Sequence, residues 1–292
     1  MGKLLLYIQG GLGKVIMSTA VIRNYKEKYP NKEIITVSGY PEVFLNNPNV
    51  SKALPFDYPY LWKDYISDPN ITVFAEEPYH TQDWIKNSTQ KHLIAIWTKM
   101  LDPEVKVKYN YPDLYFSQPE VESLQNMIQV DKPILVVQST GGSNPGNSDW
   151  TRNPPKKELE DYIGQYLEDY YILHLAVPQT PVLSNVHQRL EVLGRRQAMC
   201  LVYYTQKFIG IDSFGLHVRA AQGERSDTDI FLPLKESINR LSYDIVNNII
   251  PCETVQQLIE EAPLYHSTLF KHGIQSPPET CPVPAGQKFF EF

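Results

Sequence analysis

The run Phe208-Ile209-Gly210-Ile211-Asp212-Ser213-Phe214-Gly215-Leu216-His217-Val218-Arg219-Ala220-Ala221 passes from an apolar stretch, through two good helix-capping residues, into a helix-compatible segment. The pattern predicts a buried strand turning sharply into a helix. The first N–H groups of such a helix have no partner inside it and lie at the positive end of its dipole. A turn of this kind can hold a phosphate-like anion without any basic side chain. The bland alternative is that Asp212-Ser213 merely caps a helix, as most strand-to-helix turns in α/β proteins do.

A second turn, Gly10-Gly11-Leu12-Gly13, also joins an apolar run to a helix. It is neither a P-loop nor a dinucleotide fingerprint: Ile8 and Val15 break the first pattern, and Ile16 breaks the second. What remains is a tight backbone turn whose Gly11 and Gly13 let a ligand approach closely. Lys14 follows. With an ordinary pKa near ~10.4 a lysine is protonated at neutral pH, so it neutralises anions and serves as a base only if shifted by several units. Candidate bases come from Glu76, Glu77, His80 and Asp83, just after a predicted strand at 71–75. Ligands collect at the carboxyl ends of parallel strands; the plain alternative is a solvated loop. A third stretch, 139–152, is long, polar and glycine-rich, which is often functional. It opens on Ser139 and Thr140 and closes on Arg152, whose guanidinium can grip phosphate oxygens with two parallel bonds or simply pair with Glu158 or Glu160. Asp227-x-Asp229 precedes an apolar run instead of following one, so it reads as a solvated loop and not a metal site. No convincing metal cluster is present.

The elements that must position these residues follow from periodicity. Predicted strands lie at 3–9, 34–38, 71–75, 133–139, 170–177, 208–211 and 230–234, with an edge strand at 105–109. Predicted helices lie at 14–29, 82–101, 119–130, 156–168, 195–204, from about 216, and at 254–261. The strand-loop-helix-strand opening marks a parallel sheet. Tyr58, Tyr60, Trp62, Tyr65 and Tyr79 are expected mostly to pack, with one or two rings left exposed for stacking.

A chain of 292 residues is long for one core, so two domains are expected, 1–130 and 131–250, with a tail at 251–292. The net charge of -6 argues against a broad nucleic-acid footprint. Three widely spaced cysteines imply neither a zinc site nor a disulfide framework. The apolar run near the start is short for a signal peptide and no stretch reaches membrane-span length, so a cytoplasmic protein without stable membrane insertion is expected.

The sequence resembles the bacterial heptosyltransferases of glycosyltransferase family 9. That family carries Asp-Ser/Thr-Gly-Pro-Met-His before an alanine-rich helix; Asp212, Ser213, His217, Ala220 and Ala221 match, while Phe214 and Gly215 replace Gly-Pro. Gly13, Val15, Ile16, Ser18, Thr19 and Ala20 fit the family's first turn, and 45–50 fits its Asn-Pro-x-Val turn. The resemblance covers most of 3–250, weakly between 60 and 130. It implies a GT-B fold, two Rossmann-like α/β domains facing across a cleft. It also implies metal-independent transfer, with no cofactor, from a nucleotide-diphosphate sugar, ADP-heptose-like, to an acceptor hydroxyl. The implied acceptor is carbohydrate-type, lipopolysaccharide-like, with a modified nucleobase as the lesser possibility. By the same resemblance Gly11, Gly13, Ser139, Thr140, Arg152, Val177, Pro178, Asp212, Ser213, Phe214, Gly215 and His217 face the donor, with Val177 and Pro178 bordering its base. Lys14 stands where the family has its base Asp. A fold that has lost transfer and now only binds a sugar, nucleotide or partner is therefore the alternative.

Overall fold

The structure is a computed structural model; it describes residues 2–76, 78, 92–141, 153–191, 193–223, 226–232, 243 and 246–251. Among the described residues, ten strands form two sheets in which every pairing is parallel. The first sheet contains β1 (Lys3–Ile8), β2 (Glu33–Ser38), β3 (Lys52–Pro55) and β4 (Ile71–Phe74), in the order β3-β2-β1-β4. The second contains β5 (Ile134–Val137), β6 (Tyr171–Leu175), β7 (Gln188–Leu190), β8 (Lys207–Ile211), β9 (Asp227–Leu232) and β10 (Asn248–Pro251), in the order β10-β9-β8-β5-β6-β7.

Among the described residues the α-helices are α1 (Leu12–Lys28), α2 (Leu93–Leu101), α3 (Gln118–Met127), α4 (Lys156–Gly164), α5 (Arg195–Tyr204) and α6 (Phe214–Ala220). The first half of α1 is buried all round, from Lys14 to Ile22. Its neighbours explain this: α2 packs on one side and α6, from the second sheet's layer, on another. One apolar core therefore runs through both halves, with Val15, Ile16 and Leu93 in the same cluster as Val136, Phe208 and Leu216. Burying apolar surface at about 25 cal/mol per Å² makes such a shared core a strong tie between the halves. Arg196 of α5 adds a polar tie, donating to Glu120 of α3 at 2.6 Å and to the Glu42 carbonyl at 3.2 Å.

Several sequence expectations are corrected. Residues 105–109 form no strand. Asn24 of α1 takes their backbone instead: its Oδ1 accepts from Lys108 N and Tyr109 N, and its Nδ2 donates to Tyr109 O. A side chain has replaced a sheet edge. Asp227-x-Asp229 is no solvated loop but the start of β9. Asp229 is fully buried, and Lys207 reaches it at 2.7 Å and Asp227 at 2.9 Å. Helix α2 starts at Leu93, because His92 caps it by accepting from Ile94 N; 82–91 lies outside the described residues. Strands β3, β7 and β10 carry no clear period and were not anticipated. Among the tyrosine-rich residues, Tyr65 is buried while Tyr60 and Trp62 stand exposed, as expected; Tyr79 lies outside the described residues, as does 254–261.

Candidate functional site

Strand order places the site. In the first sheet the chain steps from β1 to β2 and β3, then jumps back to put β4 on the other side of β1. In the second it steps from β5 to β6 and β7, then jumps back to put β8 beside β5. At each such reversal the connections leave the carboxyl ends of adjacent strands in opposite directions and open a crevice where ligands bind. The first crevice is bounded by 9–13 and 75–76. The second is bounded by 138–141 and 212–213.

The two crevices meet. A methyl group on Gly13 would fall 2.5 Å from His217 Cδ2, 3.0 Å from His217 Nε2 and 3.6 Å from Phe214 Cα. Only glycine allows this approach of α1 to α6. The structure thus brings together Gly11, Gly13, Lys14, Phe214 and His217 from opposite ends of the chain.

Lys14 sits in the first turn of α1, near the positive end of the helix dipole, where a cation is disfavoured. Its side chain folds back over Gly10, whose backbone has φ +102 and whose missing Cβ leaves room for Lys14 Cδ. Its Nζ lies 5.8 Å from the centre of the Trp97 ring. Burial lowers its pKa to about 8. His217 is buried, and its Nδ1 lies 2.8 Å from the hydroxyl of Tyr243, whose ring packs at a tilt against His92 and Tyr111. Tyr243 joins this cluster although the sequence did not single it out for the site; its segment, 241–244, was legible only as resembling the tail of the family's C-terminal domain.

The second crevice corrects the expectation of bare amide groups at residues 213–217. Gln138, at the end of β5, covers part of that turn: its Oε1 accepts from Gly215 N at 3.2 Å, and its Nε2 donates to Ser213 Oγ at 3.0 Å. Ser213 holds the N-cap position without capping through its own side chain. Gly215 is required because a Cβ would meet Phe208 Cζ at 2.4 Å and Gln138 Oε1 at 2.5 Å. Helix α6 has only seven residues, so its dipole is modest. Asp212 and Phe214 are half-buried beside this turn.

Ser139 and Thr140 follow Gln138. Ser139 Oγ lies 2.8 Å from His174 Nε2, and Thr140 Oγ1 lies 3.2 Å from Thr180 Oγ1. Gly141 lies against Ser213 and donates through its N–H to Asn153 Oδ1. Burial, with help from the Arg189 charge, pushes His174 down to about 4. Val177 and Pro178 are exposed after β6, and Arg189 pins their loop by donating to the carbonyls of Val177, Thr180 and Pro181. Glu76 is exposed just past β4. Glu77, His80, Asp83 and Arg152 lie outside the described residues.

No protein-family model matches the chain, and no curated protein matches it. Solved structures do. A glycosyltransferase family 9 protein from Veillonella parvula DSM 2008 superposes with a TM-score of 0.63 at 13% identity, covering 89% of this chain and 91% of that one. The E. coli ADP-heptose lps heptosyltransferase II gives a TM-score of 0.59 at 14% identity, with 92% and 98% covered. The E. coli heptosyltransferase WaaC with ADP gives 0.57 at 9% identity, with 90% and 98% covered. These are the structures the motif resemblance pointed to, and at such identity they speak for architecture. The chain has the GT-B fold, two Rossmann-like α/β halves with parallel sheets.

Proposed function

We propose that the protein is a glycosyltransferase that moves a sugar from a nucleotide-diphosphate donor to an acceptor hydroxyl. The observation that carries this reading is the meeting of two switch-point crevices at Gly13 and His217. Such a junction can hold a donor against one half and an acceptor against the other. The solved structures with the same fold include one bound to ADP and one bound to ADP-2-deoxy-2-fluoro heptose. By that analogy, an ADP-heptose-like donor and a carbohydrate-type acceptor are the first to test.

The chemistry asks for two things. The transition state at the anomeric carbon has oxocarbenium character, as in glycoside hydrolysis. The departing nucleoside diphosphate gains negative charge that fixed donors and cations must meet. Lys14 would supply a cation, Ser139 and Thr140 hydroxyl donors, and Arg152 a bidentate partner. The turn at 212–215 would supply whatever backbone donors Gln138 leaves uncovered, so it carries less of the work than the sequence alone implied. Transfer without a metal and without a cofactor is part of the proposal. The acceptor's base is sought first at Glu76, Glu77, His80 and Asp83.

A second reading is favoured by Lys14 itself. With a pKa of about 8 it is still mostly protonated at pH 7, so the position usually holds a cation where the family carries a carboxylate base. A protein that binds a nucleotide-sugar without transferring it fits that residue equally well. Thermal-shift screening with ADP-, UDP- and GDP-sugars, followed by donor-hydrolysis assays, separates the readings. Stabilisation with slow hydrolysis of one donor supports the transferase. Stabilisation without hydrolysis across the panel supports the binding protein. No stabilisation by any of them sinks both.

A further inference from the structure

Resting on the nucleotide reading above, we propose that His174 is a positioning residue: its Nε2–H donates to Ser139 Oγ, leaving the Ser139 proton for a ligand oxygen. Ser139 thereby turns its O–H toward groups that accept hydrogen bonds, such as the oxygens of a diphosphate.

His174 stands on β6 opposite Val137 of β5, one strand from the switch point, and is wholly buried. Its two ring nitrogens differ. Nε2 lies 2.8 Å from Ser139 Oγ. Nδ1 is buried and, among the described residues, has no hydrogen-bond partner. A neutral imidazole carries one proton, and the surroundings decide where. A proton on Nδ1 would be a buried N–H with nothing to receive it. A proton on Nε2 leaves only a lone pair unmet, the lesser penalty. Doubly protonated imidazolium would bury the same orphan donor. Burial and the Arg189 charge oppose it as well.

With the proton on Nε2, Ser139 Oγ is the acceptor in that pair. No second partner of the hydroxyl exists among the described residues. Among the described residues its own O–H is therefore a donor without an acceptor, at the carboxyl end of β5, on a side chain that is largely buried. A phosphate oxygen satisfies it. A ligand N–H could use only the hydroxyl's second lone pair and would leave that O–H unmet, so an acceptor oxygen is the better match.

The test is calorimetric titration of the full chain with ADP, UDP and GDP. For the best of these, Ser139→Ala and His174→Leu should each weaken binding about tenfold, the usual scale of a hydrogen bond to a charged acceptor. The double variant should bind no worse than Ser139→Ala, because both changes remove one device. His174→Gln, whose amide reaches the Nε2 position, should recover most of the affinity. His174→Asn, whose amide reaches only the Nδ1 position, should not; it also stands in should His174→Leu fail to fold. A buried residue that only fills space would show no such split. Equal affinity for wild type and His174→Leu, equal losses in the Gln and Asn variants, or additive losses would overturn the inference while leaving the nucleotide reading intact. Absence of nucleoside-diphosphate binding by the wild type overturns that reading and this inference with it.

Discussion

Lys14 and Lys207 are buried to nearly the same degree, 7% and 5% exposed, at opposite ends of their sheets. Lys207 opens β8 at its amino end, far from the crevices. Burial works to lower its pKa, but hydrogen bonds and charge from Asp229 and Asp227 outweigh that and hold the ammonium above its usual value. Tyr162 and Asn248 complete the cluster by donating to Asp229. Lys14 lies at the carboxyl side, in the first turn of α1, and burial lowers it to about 8. Arg219 of α6 is intermediate: burial lowers it to about 10, yet its guanidinium donates to the carbonyls of Val202, Thr205 and Asp227. The difference teaches where strain is stored. A buried cation satisfied by carboxylates or carbonyls holds the fold together. A cation whose charged form burial disfavours, at the positive end of a helix, costs stability and is suited to meeting a ligand's charge.

The comparison can be broken most forcefully at Lys207. Lys207→Met would leave Asp229 buried without its cation, and removing one partner of a buried pair costs about 3–5 kcal/mol. Urea unfolding checks this; a loss under about 1 kcal/mol would mean the cluster is not what holds β8 to β9. The opposite sign is expected at Lys14. Its folded-state pKa lies below the unfolded value of 10.5, so the native state carries the cation at a cost below about pH 8. Lys14→Met should therefore stabilise the ligand-free protein at pH 7 by about 1–3 kcal/mol while weakening nucleoside-diphosphate binding. Relative to that variant, the wild type should regain stability as pH rises from about 8 toward 10.5. A destabilised Lys14→Met would place Lys14 with the structural lysine and end the contrast. The smallest effect sharpens the comparison further. If the charged form of Lys14 meets the diphosphate, affinity in the wild type should fall up to about tenfold between pH 7 and 9. In Lys14→Met the profile should stay flat over that range. Parallel profiles would remove Lys14 from the binding site.

The sequence by itself determined the elements whose signals are local. Apolar runs gave the strands at 3–8, 134–137 and 207–211 within a residue or two, and the helix at 195–204 matches residue for residue. The two glycine-bearing turns were legible from their glycines and, in the second, from the capping residues Asp212 and Ser213 between an apolar run and a helix-compatible one. With these in place, a pair of parallel α/β halves followed. Tertiary structure alone decided what surrounds each side chain. Gln138 covers the 213–215 turn from 75 positions away, and His217 lies beneath Gly13 from the other end of the chain. Asn24 takes the backbone of 108–109 from 84 and 85 positions away, so an alternating stretch never becomes a strand. Asp229 reads as solvated until Lys207 is placed beside it on the neighbouring strand. The physical reason is common to all four. Backbone preference and apolar period act over one or two turns of chain, whereas desolvation and hydrogen-bond partnership depend on which distant atoms packing brings within a few ångströms.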